Sequence, residues 1–130
     1  MIADRIGAII TRNKQILLVT GYDETLYWTP GGKIEHHETH ESCLKRELFA
    51  ELGIALKSMK HYESMILVNE TSNSKQKNYY YITQYTGTIV SKAEITKILW
   101  YSRKDFLKKT IKVSNGVKHL IPLLIKDKFL

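Results

Sequence analysis

The strongest constraint on this chain is one amphipathic helix whose start and stop are both written into the sequence. Leu44, Leu48 and Leu52 recur every fourth residue and therefore stack along one helix face. Thr39 stands where an N-cap hydroxyl is wanted. Glu41 falls in the first turn, where the helix dipole favours an anion. Gly53 follows the last leucine at the position where helices turn left-handed and end. The spacing predicts a helix over residues 39–52, with a leucine stripe that some other element must cover.

The remaining segments offer a sheet for that purpose. Residues 5–11 and 15–20 are β-branched and aliphatic, and Arg12-Asn13-Lys14 between them reads as a hairpin turn. Residues 61–69, 77–90 and 95–101 read as further strands, with polar residues 70–76 linking the first two. Two helices close the chain, over residues 103–109 and 115–126. Pro122 predicts a kink or a break in the second. Thr29-Pro30-Gly31-Gly32 is a loop, because proline ends a strand ladder and glycine tolerates positive φ. Strands and helices in this order imply an α/β or α+β domain with helices packed on a mixed sheet.

With 130 residues and no repeat or Pro/Gly/Ser linker, the expectation is one domain over residues 1–130. Apolar residues at 43% and charged residues at 25% exclude a disordered class. One cysteine, Cys43, excludes an internal disulfide and a four-cysteine zinc site, and its place on the inner helix face marks it as a small core residue. The opening Met1-Ile2-Ala3-Asp4-Arg5 lacks the apolar core of a signal peptide, and runs such as Ile16-Leu17-Leu18-Val19 are too short to span a bilayer. The expectation is a cytoplasmic protein without a membrane partner, monomeric or homodimeric. Charge is uneven. Ten Lys/Arg face ten Asp/Glu through Thr86, but ten face three from Gly87 onward, so the whole net +7 falls in the last third. Such a flank favours anionic ligands, or is simply a solvated lysine surface.

Glu47 and Glu51 lie four apart on the predicted helix and share a face. Like charges at this spacing repel unless a cation joins them, and hard cations such as Mg²⁺ take carboxylate oxygens. Pro30-Gly31-Gly32-Lys33 adds bare backbone and one cation near the helix start, suited to an anionic substrate. Arg46 is placed to pin Glu38 or Glu47 through a bidentate contact. A solvated acidic helix face would account for the two glutamates alone.

Gly32, Glu38, Arg46, Glu47, Leu48, Glu51, Gly53 and Ile54 together resemble the Nudix box, G-x5-E-x7-R-E-U-x-E-E-x-G-U with U aliphatic. Trp28-Thr29-Pro30-Gly31-Gly32-Lys33-Ile34-Glu35 looks like the usual approach to it. The chain departs from the pattern at Ala50, where the family has a first glutamate of a pair, and at His37, where a glycine usually stands. The resemblance implies an α/β/α sandwich with the box helix packed on a mixed sheet. It also implies metal-dependent hydrolysis of a phosphoanhydride in a nucleoside diphosphate linked to a further group. A purine nucleoside triphosphate giving monophosphate and pyrophosphate is the first expectation.

The same resemblance assigns residues. Mg²⁺ or Mn²⁺ is expected on Glu47, Glu51, the Gly31 carbonyl and Glu94, with Glu47, Glu94 and Arg46 as catalytic residues. Lys33, Gly32, Trp28 and Asn115 are expected at the substrate, while Glu38 and Gly53 are structural in the box. Asn115 reads equally well as a helix N-cap, and the basic last third is expected to help Lys33 bind phosphates. His36, His37 and His40 do not match a structural zinc spacing and are expected to face solvent. Tyr79, Tyr80 and Tyr81 alternate across a strand and fill core and edges, with one available to stack on a base. Tyr22 and Tyr27 have the same ambiguity. Two other readings stay open at this level: an RNA 5′-end pyrophosphohydrolase using the basic third, and a nucleotide-binding module that lost turnover with the change at position 50. A plain nucleic-acid-binding domain leaves the box unexplained.

Overall fold

The computed structural model describes residues 2–130. The predicted helix is α1, His40–Leu52. The Thr39 hydroxyl accepts from the Ser42 N–H, and the Ser42 hydroxyl sits 3.0 Å from the Thr39 N–H, so the first turn is capped from both sides. Gly53 ends the helix in the left-handed conformation, φ 66°, and its N–H donates to the Phe49 carbonyl. Cys43, Leu44, Leu48 and Leu52 are fully buried beneath it.

The first strand departs from expectation. Residues 5–11 do not form one strand: β1 covers Ala3–Ile9, the chain leaves the sheet at Ile10, and Thr11–Arg12 forms β2 in a second sheet. β2 turns into β3, Gln15–Gly21, through Asn13 and Lys14, both at positive φ (52° and 62°), which is the two-residue turn that matches strand twist. A uniform aliphatic run carries no mark of such a sheet change, because residues 6–10 are buried without alternation right up to it.

Gly31 and Gly32, expected in a loop, instead belong to an edge strand, β4, Gly31–Lys33; β5 is Ala55–Val68, β6 Lys75–Thr86 and β7 Ile95–Ser102. One sheet has the order β4-β1-β6-β5, with β1 parallel to β6 and antiparallel to β4; the other has the order β2-β3-β7. Strand alternation sends each buried side chain to one of two cores. Ile6 and Ala8 of β1, with Leu17 and Val19 of β3, pack under the leucines of α1. Ile9, Ile16, Leu18 and Tyr80 face the opposite side and pack against Val117, Leu120, Ile121 and Leu124 of α3, Asn115–Lys126. The result is the expected sandwich of helix, mixed sheet and helix. The short α2, Arg103–Lys108, is capped by Ser102 and Asp105.

Pro122 does not break α3. It lies on the exposed face, as does Lys118 one turn earlier, so water can satisfy the Lys118 carbonyl that proline leaves without a donor. Among the described residues no helix is long and apolar enough to cross a membrane. Because α1 rests on its leucine stripe, Leu48→Ala is expected to lower the unfolding free energy by about 2–5 kcal/mol. Thr39→Ala is expected to cost about 1 kcal/mol. Urea titrations of both variants check the order.

Candidate active site

The site begins with two adjacent glycines that let backbone approach where side chains would block it. Gly31 has φ +143°, and a Cβ there would lie 2.0 Å from the Ile6 carbonyl oxygen of the neighbouring strand. A Cβ on Gly32 would lie 2.7 Å from the Glu47 carboxyl carbon. The edge strand β4 therefore lies directly against the carboxylates of α1.

Glu51 is 3% exposed, and its Oε1 accepts the Gly31 N–H at 3.1 Å. Burial, followed by a shared hydrogen bond with Glu47 and the charge of that neighbour, pushes its carboxyl up to about 8; the Gly31 N–H and Arg5 oppose the shift. Helix electrostatics add to the conflict. Glu47 and Glu51 sit in the C-terminal half of α1, nearest the negative end of the dipole, and the last turn has no basic residue. This oxygen-rich pair of carboxylates fits a hard divalent cation.

Arg46 holds the pair from outside. Its guanidinium donates to both Glu38 oxygens (2.7 and 2.8 Å) and, through Nη1, to Glu47 Oε1 at 2.5 Å. The Arg46 contact, with the Glu35 N–H, holds the Glu38 carboxyl down to about 2. Arg46, expected among the catalytic residues, thus lies outside the cleft lining and acts on the orientation of Glu47. Cys43 beneath it is buried, and burial drives its thiol up to about 12, as befits an inert core residue.

Glu94 comes in from the far end of α1. The Val90 and Lys92 N–H groups donate to the Leu52 and Glu51 carbonyls at 3.0 and 2.8 Å, so helix-terminal acceptors fasten the loop that delivers Glu94 to the head of β7. Glu94, Glu47, Glu51, Gly31, Gly32, Lys33, Trp28 and Asn115 all line one cleft of about 590 Å³.

Three parts of the site differ from expectation. Among the described residues the cleft cations are Arg5 and Lys33; none of the ten Lys/Arg from Gly87 onward lines it. The basic third lies in α2, α3 and neighbouring segments, whose apolar faces point into the core and whose lysines point away. Asn115 is not the N-cap of α3: the Ser114 hydroxyl caps it by accepting the Val117 N–H. The Asn115 amide instead donates to the Val68 carbonyl at 2.8 Å, tying the helix start to the end of β5. His40 is half-buried, with Nδ1 2.7 Å from the Tyr81 hydroxyl, whereas His36 and His37 are exposed as expected.

Arg5, Asn78 and Glu70 also line the cleft and were not singled out from sequence. Arg5 donates to the Thr29 carbonyl at 3.2 Å, and Glu70 accepts the Asn115 N–H at 3.1 Å. The available signal was a charged or amide side chain at an alternate position of a buried strand, Arg5 in step with Ile9 and Asn78 in step with Tyr80. Tyr80 is buried, and burial raises its phenol pKa, so it stays a neutral hydroxyl.

The model of the NUDIX domain matches residues 1–124, and the chain belongs to the Nudix family. Members typically use divalent metals and act on nucleotide-type substrates. The E. coli ORF135 protein has a similar structure, with TM-score 0.73 and 27% identity over 95% of this chain and 86% of that one. A MutT protein from Bacillus halodurans aligns with TM-score 0.72 and 22% identity over 92% and 79% of the two chains. A NUDIX hydrolase from Nitrosomonas europaea aligns with TM-score 0.79 at 16% identity over 94% and 87%. The last two show likeness of fold. No curated protein matches the chain.

The Arg46–Glu38 clamp has a pH signature. The Glu38 carboxyl lies at about 2 in the folded protein against an ordinary 4.5, so the unfolded chain takes up the proton first as pH falls. Its contribution is complete above the ordinary value and is lost as pH drops through the folded one. Wild type should therefore lose stability between about pH 5 and about pH 2 more steeply than Glu38→Gln, as read from urea midpoints across that range.

Proposed function

We propose that this chain is a metal-dependent pyrophosphohydrolase that splits a nucleoside triphosphate into monophosphate and pyrophosphate. One observation carries the reading. The buried Glu51 carboxyl, which accepts the Gly31 N–H, stands with Glu47 at the β4 end of a cleft that also holds Arg5, Lys33 and Glu94. Glu47, Glu51, Glu94 and the Gly31 carbonyl would hold Mg²⁺ or Mn²⁺, which supplies charge neutralisation on the diphosphate oxygens. Glu47 or Glu94 orients the attacking water and takes its proton. Lys33 and Arg5 hold phosphate oxygens, Arg46 keeps Glu47 aimed, and Trp28 and Asn115 bound the nucleoside end.

A small substrate is favoured over an RNA end because the basic last third contributes no side chain to the cleft. Ala50 is exposed on α1 and outside the cleft lining, which supports a site that works without a carboxylate there. Ala50→Glu should accordingly change the rate little. A large gain would instead mark a degraded site and favour a binding module.

The deciding experiment is pyrophosphate and phosphate release from canonical and oxidised purine triphosphates, pyrimidine triphosphates, ADP-ribose, dinucleoside polyphosphates and 5′-triphosphate RNA, with Mg²⁺ or Mn²⁺. Turnover on a triphosphate should fall roughly a hundredfold or more in Glu51→Gln. In Gly32→Ala, whose methyl displaces the Glu47 carboxylate, it should fall by roughly ten- to a hundredfold. Metal-independent turnover, or none on any member with nucleotide binding intact, would overturn the hydrolase reading.

A further inference from the structure

The floor of the cleft contains a polar atom whose needs the fold leaves unmet. Asn78 is 3% exposed, lies on β6 and lines the cleft. Its Nδ2 donates to the Tyr80 hydroxyl at 3.1 Å. Its Oδ1 has no hydrogen-bond partner, and among the described residues it is the buried side-chain nitrogen or oxygen left in that state. A buried acceptor without a donor is costly, and native proteins retain one where something else supplies the donor.

The surroundings fix how that acceptor is presented. Gly116, in the first turn of α3, packs over the pair so closely that a Cβ there would lie 2.0 Å from the Tyr80 hydroxyl and 3.2 Å from Asn78 Nδ2. Tyr80 is itself 3% exposed, so the amide is held on one side by a buried phenol and on the other by helix backbone. Both neighbours pack closely against the amide.

Register then gives its distance from the carboxylates. Arg5 of β1 pairs with Lys33 of β4 on one side and with Asn78 of β6 on the other. Lys33, Arg5 and Asn78 therefore form a row across three strands on the same face, and Asn78 stands two strand spacings, about 10 Å, from the β4 edge. A triphosphate held by Glu47, Glu51, Lys33 and Arg5 would direct its nucleoside end along this row. The base, one sugar further on, reaches Asn78.

Resting on the nucleotide reading above, we propose that Asn78 selects the base, its Oδ1 accepting a hydrogen bond from an exocyclic amino group of a nucleobase seated in the cleft that Asn78 lines. An acceptor fixed by Tyr80 and Gly116 repels a carbonyl oxygen at the same place, so the site discriminates between an amino and a keto substituent. This type of discrimination is strong because the wrong base leaves two acceptors facing each other.

The test uses pairs of nucleotides that differ by one amino group: ATP and ITP, GTP and ITP, CTP and UTP. Binding is measured by calorimetry with α,β-methylene triphosphates, which the proposed cleavage cannot split, and kcat/KM with the natural triphosphates. Wild type should favour the amino-bearing member of at least one pair by roughly tenfold or more in affinity. Asn78→Leu and Asn78→Ser, each checked for an intact fold by circular dichroism, should bring that ratio close to one. Asn78→Asp, which keeps an acceptor that Tyr80 can hold by donating to its second oxygen, should retain the preference.

Ratios near one for wild type in all three pairs, absence of nucleotide binding, or ratios unchanged in both folded Leu and Ser variants would overturn the proposal. Turnover that persists with flat ratios would sink this assignment alone and leave the hydrolase reading standing. Selective binding without turnover would do the reverse.

Discussion

Two carboxylates, one of them buried, are held at the end of a helix where backbone electrostatics disfavour them, and the rest of the structure is arranged around that conflict. Glu51 is 3% exposed at the negative end of α1, and Glu47 lies one turn before it. The leucine stripe presses α1 onto the sheet, so the carboxylates cannot move out to water without unpacking Leu48 and Leu52. The two glycines of β4 remove the side chains that would push them away. Arg46 and Glu38 then brace Glu47 on the solvent side. A local rule is broken and several neighbouring features agree to keep it broken, which is the pattern expected at a functional site.

The middle layer extends this arrangement into a binding cleft. β4 is an edge strand, so carboxylates from α1 on one face reach the cleft on the other by passing round the edge. β1 carries Arg5 beside β4, and the parallel neighbour β6 brings Asn78 into the same row, with Tyr80 in the next row on that face. The first turn of α3 closes the cleft over them, with Ser114 capping the helix while Asn115 and Glu70 tie its start to the end of β5 and the loop that follows. Charge thus falls along the cleft from an acidic edge, past two cations, to an amide and a phenol.

α1 was legible because it is a local object: the leucine period, the threonine cap and the terminal glycine all act within a few turns. The box residues were legible for the same reason. They lie on α1 and the loop before it, so their spacing already fixes most of their geometry. Arg5 and Asn78 were marked only by alternation with their strand neighbours, which does not say that they share a cleft until β1 and β6 pair. The split at Ile10 was hidden because an aliphatic run buried from residue 6 to residue 10 reads the same whichever sheet follows. The basic last third misled for a related reason: net charge counts lysines, while binding depends on where packing of the apolar face leaves them.

By itself, then, the amino-acid order determined the capped helix, the carboxylate pair four residues apart, the glycine pair beside it and the family to which these point. Each depends on helix geometry and on backbone conformations that act over short distances. Only the tertiary structure decided that Glu51 is buried and raised, that Arg46 braces and does not line the cleft, and that Asn78 lines the cleft with an unpartnered acceptor. Those outcomes depend on desolvation and on partners far away in the chain, and neither exists until the layers have packed.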